Sequence, residues 1–86
     1  MRSTTMGFLE EAINNIEGYL MVTEATPTKY TRKTLALDTE MIEKSIRTNG
    51  KYIKNLTKYL IYNNEVDTLI MLKSILRLHI TEGNFN

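Results

Sequence analysis

An 86-residue chain with no cysteine, one proline and a formal net charge of +1 has room for one small domain, expected to span residues 1–86, and for no disulfide framework. Its longest wholly apolar run, Leu69 to Leu72, is far short of the roughly 20 residues a membrane-spanning helix needs. Glu10, Glu11 and Glu17 interrupt the stretch where the apolar part of a secretory signal would lie, so a soluble cytoplasmic protein without a membrane partner is predicted.

The first element is an amphipathic helix. Leu9, Ile13, Ile16 and Leu20 recur at helical spacing, with Glu10, Glu11, Asn14 and Glu17 on the other side, which predicts a helix over about 5–22. Ser3, Thr4 or Thr5 supplies a capping hydroxyl. The pattern breaks from Glu24 to Thr28, and Thr26-Pro27 reads as a loop or as an N-cap followed by proline at the first helical position. Periodicity leaves 28–37 open between helix and loop.

The second segment poses a choice between one helix and two. Ile42, Ile46, Ile53, Leu56 and Leu60 form an apolar row in which Asn49 occupies the remaining slot, while Lys44, Arg47, Lys51, Lys54 and Lys58 form a basic row. Both rows keep helical phase through Asn49-Gly50, so periodicity predicts one continuous helix over about 38–62, locally weakened at the glycine. The competing reading makes Asn49-Gly50 a turn between Ile42–Thr48 and Lys51–Leu60, a helix-turn-helix. Asn-Gly within a helix carries an entropic cost, and close approach of a neighbouring helix or a nucleic-acid backbone at Gly50 would account for it.

The third helix is expected over about 64–82, opened by Asn64 as N-cap with Glu65 and Asp67 in its first turn and closed near Gly83. It is apolar almost all round. Leu69, Leu72, Leu76 and Ile80 fall on one face, and Met71, Ile75 and Leu78 cover much of the other. A small domain buries a modest share of its surface, about 60%, so these seven residues are assigned to a homo-oligomer interface, most simply a dimer. The expected fold is all-α, a small bundle of three main helices.

No Gly-rich phosphate loop, metal-ligand spacing or nucleophile motif is present, and the lone His79 lies on an apolar helix without a cysteine to join it. A non-enzymatic protein without cofactor or metal is expected. Charge, by contrast, is segregated: eight basic residues against three acidic ones lie between Lys29 and Lys58, and the rest of the chain is net acidic. That pattern points to a polyanion. The candidate nucleic-acid contacts are Lys44, Arg47, Lys51, Lys54 and Lys58 on phosphates, Tyr52 and Tyr59 on unpaired bases, and Lys29, Arg32 and Lys33 as a basic arm. RNA or a single strand is preferred over duplex DNA. The alternatives are a helix-turn-helix DNA regulator and a protein inhibitor or adaptor that docks its basic face on an acidic protein surface or uses the apolar third helix. Richness in Asn, Ile, Lys and Tyr resembles proteins of AT-rich genomes, including small phage proteins, which implies a viral protein acting in the host cytoplasm as an RNA- or protein-binding inhibitor of a host pathway.

Overall fold

The computed structural model describes residues 4–23 and 37–82. Among them the fold is all-helical: α1 (Thr4–Thr23), α2 (Thr39–Ile46), α3 (Lys51–Tyr62) and α4 (Val66–Glu82). The first helix matches its expectation because Leu9, Ala12, Ile13 and Ile16 form one buried face. Ser3, the Thr26-Pro27 pair, Gly83 and nearly all of 28–37 lie outside the described residues.

The expected continuous helix over 38–62 is corrected: it is two helices, α2 and α3, separated by a turn at residues 47–50. Gly50 has φ +71°, a left-handed backbone that an α-helix cannot contain. Its N–H reaches back to the Ser45 carbonyl at 3.0 Å, Thr48 N–H donates to the same oxygen at 3.1 Å, and Asn49 Oδ1 accepts from Lys51 N–H at 3.1 Å. Asn49 is therefore an exposed turn residue bonded to the backbone two residues on, not an occupant of the apolar row. Phase survived the turn for a simple reason. Four turn residues are close to one helical repeat of 3.6, so each helix turns its own Ile/Leu row inward without a helix joining them.

The glycine does admit a neighbour. A Cβ at Gly50 would fall on the ring of Phe8, so α1 crosses the turn at a distance that only glycine permits. Ser45 fixes the angle between the two helices from within: it is buried, and its Oγ accepts a hydrogen bond from Ile53 N–H at 3.2 Å, satisfying a first-turn donor of α3 from the body of α2. Replacing Ser45 by alanine leaves that buried N–H without its partner and is expected to cost about 1–2 kcal/mol in chemical denaturation. No measurable loss would mean that the Oγ contact does not hold the turn.

α3 ends where α4 was expected to be capped. Asn64 has φ +55°, its N–H donates to Ile61 O at 3.1 Å, and Glu65 N–H donates to Leu60 O at 2.9 Å. These bonds make a Schellman closure with Asn64 as its left-handed residue, so Asn64 terminates α3 and does not cap α4. α4 begins at Val66, with Asp67 in its first turn as the macrodipole favours.

Two contacts set the direction of α1. Phe8 lies at the start of α3, and Tyr19 Oη donates to Asn64 Oδ1 at 2.7 Å at its end, so α1 and α3 run the same way. Against α4 the direction reverses: Glu17 receives Arg77 Nη2 at 2.6 Å with Lys73 Nζ at 3.9 Å, while the earlier Glu10 and Ile13 border the later Ile80 and Thr81. α2 packs on α3. One core results, built from Leu9, Ala12, Ile13 and Ile16 of α1, Ile42 and Ile46 of α2, Ile53 and Leu60 of α3, and Leu69, Leu72 and Leu76 of α4.

Two threonines interrupt that core in different ways. The hydroxyl of buried Thr57 donates to Ile53 O at 2.8 Å, whereas Thr68 Oγ1 is fully buried with no hydrogen-bond partner. An unpaired buried hydroxyl costs free energy that an isosteric methyl does not. Thr68→Val is expected to raise stability by about 1 kcal/mol, read as a shift in the denaturation midpoint at unchanged slope. A destabilised variant would show that the hydroxyl is satisfied in solution.

Candidate nucleic-acid interface

The basic residues no longer share one helix. Lys44 lies in the last turn of α2, Arg47 is its C-cap, and Lys51, Lys54 and Lys58 lie on α3; all five are exposed. On α3 the core side is set by Ile53, Thr57 and Leu60, and at 100° per residue Lys51 and Lys58 fall on the opposite side and Lys54 on the flank. They span about 10 Å of helix at 1.5 Å per residue. The exposed crest between α1 and α2 therefore has an order. Lys54 and Lys58 border α1, Lys51, Asn55, Tyr59 and Tyr62 lie along the top, and Tyr52 leans to α2.

The tyrosines separate by burial. Tyr59 is 58% exposed and Tyr62 86% exposed, while Tyr52 is half-buried in a shallow depression with Met41, Lys44, Ser45, Thr48 and Asn49. Tyr62 was not among the expected contacts, although its position nine residues after Ile53, half a turn from the core side of the helix, carried the signal of its exposure. Lys29, Arg32 and Lys33 lie outside the described residues.

The ends of the two helices differ in electrostatic design. α2 follows the macrodipole at both ends: Asp38 caps it by accepting from Met41 N–H at 3.1 Å, Glu40 lies in its first turn and Lys44 in its last. α3 does the reverse. Its first turn has no acidic residue and holds Lys51 and Lys54, placing two cations at the positive end of the helix. Each such placement costs about 0.3–1 kcal/mol at a surface site, so α3 carries charge that its own stability does not favour.

The seven residues assigned to an oligomer interface divide by where the chain itself covers them. Leu69, Leu72 and Leu76 are fully enclosed in the core of the single chain, and Ile75 and Ile80 are partly covered by it. Met71 and Leu78, 45% and 55% exposed, remain on the outer side of α4. His79 is half-buried, and the described residues contain no cluster of three His, Cys, Asp or Glu suited to a metal ion. None of the described helices is long and apolar enough to cross a membrane. No protein-family model, curated protein or solved structure matches this chain.

Proposed function

We propose that the protein is a nucleic-acid-binding regulator that uses α2, the turn and α3 as a helix-turn-helix, with α3 laid against duplex DNA. The observation that carries this reading is the turn at Gly50. It joins two short helices through four residues including glycine, as the motif requires, and leaves the second helix with an exposed basic crest. In this arrangement Arg47, Lys51, Lys54 and Lys58 take phosphates, and Asn55 on the crest is the residue whose amide can address an adenine edge in the major groove. Exposed Met71 and Leu78, with Ile75 beside them, support pairing of two copies through the outer side of α4, as two-fold operators use.

A second reading has its own observation. Tyr59 and Tyr62 offer ring faces to solvent on the same crest, the platform that unpaired RNA or single-stranded bases stack on. One experiment separates the two: titration of the sized protein with duplex DNA, duplex RNA and single-stranded RNA at two salt concentrations. For duplex DNA, four phosphate contacts predict a slope of log affinity on log salt of roughly −3 to −4. Tighter binding of single strands, quenched in tyrosine fluorescence, selects the stacking mode. Absence of binding to all three at low salt overturns both and leaves an acidic protein surface as the partner of the basic crest.

A further inference from the structure

The crest of α3 is bordered by a groove that shares two lysines, Lys54 and Lys58, with the proposed nucleic-acid contacts. Between α1 and α3 lies a cavity of about 380 Å³, open on one side, within the size range of small-molecule sites. It exists because the two helices meet there through small side chains, Ala12 of α1 and Thr57 of α3, both buried, while bulkier neighbours stand at the ends. Phe8 closes the end near the turn, and Tyr19, anchored through Asn64, closes the other. Ala12 and Ile61 supply an apolar floor.

Its two walls carry different polar groups. On the α3 side stand Lys54 and Lys58, one helical turn apart; on the α1 side stand Glu11 and Asn15, also one turn apart. Neither lysine makes an ion pair or a side-chain hydrogen bond among the described residues. An occupant complementary to all four needs an acid group toward α3, an N–H-bearing edge toward α1, and a flat apolar body between aromatic ends. We infer that the groove binds a small heteroaromatic anion with an amino edge, the chemistry of a free nucleoside monophosphate. Phosphate lies between Lys54 and Lys58, and the base lies over Ala12 between Phe8 and Tyr19, its exocyclic amine donating to Glu11 or Asn15.

The site stands on its own geometry, but its consequence rests on the proposed function. Lys54 and Lys58 would serve both the ligand phosphate and the nucleic-acid backbone, so a bound nucleotide would weaken binding of the polymer. The test begins without any polymer. The full chain, labelled with nitrogen-15, is titrated with adenosine monophosphate, with adenosine and with ribose 5-phosphate, and amide shifts are mapped. The expected result is saturable shifts on the groove-facing residues of α1 and α3 for adenosine monophosphate, at least about tenfold weaker for either fragment or for the folded Lys54→Gln/Lys58→Gln variant.

Ala12→Leu is expected to fill the hollow and abolish the shifts; should it fail to fold, Glu11→Ala with Asn15→Ala gives the same reading from the exposed wall. Three outcomes overturn the proposal: no shifts at millimolar nucleotide, shifts as large around Arg47 and Lys51 as in the groove, or equal binding of ribose 5-phosphate, which would mean that surface charge alone is being read. Competition with duplex DNA is then measured separately. A nucleotide that fills the groove of a chain that binds no DNA would sink the proposed function and leave this site in place.

Discussion

Gly50→Ala is expected to destabilise the protein by about 2–4 kcal/mol, read from the chemical denaturation midpoint. Two terms contribute. A side chain at positive φ costs about 1–2 kcal/mol, and a methyl group driven into the Phe8 ring adds an overpacking penalty of about 1–3 kcal/mol, relieved in part by movement of the ring. A chain of this length holds only about 4–13 kcal/mol in total, so the loss is a large share of it. The sign of the effect is as informative as its size. Had 38–62 been one helix, alanine at position 50 would stabilise it, as is expected at Gly18, which lies inside α1 with nothing within 4 Å of its added Cβ. Stabilisation at both positions would restore the continuous helix and remove the structural basis of the helix-turn-helix reading.

Reversal of Lys51 and Lys54 to glutamate is expected to lower affinity for nucleic acid at least about a hundredfold at moderate salt, and to flatten the salt dependence by roughly two units as two phosphate contacts disappear. Stability should move little, and upward if at all. Both side chains are exposed in the first turn of α3, where an acid is favoured over a cation by the helix dipole. The double variant therefore separates function from folding. A variant that binds normally places the polymer elsewhere on the molecule. A variant that unfolds shows the lysines to be structural, against the absence of any described ion pair at either.

Much of the architecture was legible in the sequence, and what was missed has a common cause. The apolar rows of α1 and α4 located those helices closely, because a buried face imposes its period on any helix long enough to show it. Asn49-Gly50 was visible as a turn signal but was outweighed by two rows in phase, and phase cannot distinguish a helical turn from a four-residue connection of similar length. Asn64 was misplaced by one element for a related reason: asparagine serves both as a left-handed closer and as an N-cap, and only the backbone distinguishes them.

The site was half legible. The five cations could be named from spacing, but their division into a flank and a crest follows from the packing of α1 beside α3. Ser45 left a weaker trace, one of several hydroxyls in a helical stretch, where side-chain oxygens compete for backbone donors. The groove beside Lys54 and Lys58 left none, since it is a product of two small residues, Ala12 and Thr57, that are far apart in the chain.

The parallel course of α1 and α3 also bears on how the chain reaches this state. Neighbours α2, α3 and α4 are joined by connections of a few residues and make their contacts locally, through pairs such as Ser45 with Ile53. Among the described residues the ties of α1 to other helices are remote: Tyr19 to Asn64 spans 45 residues and Arg77 to Glu17 spans 60. The entropy of loop closure is therefore expected to fall mainly on the docking of one helix, and the slow step of folding with it. Until α1 arrives, the core faces of the other three helices have no lid, and the Phe8 ring has not yet closed over the turn that aims α3. Acquisition of the basic crest and burial of the core are thus expected to be two readouts of a single late event.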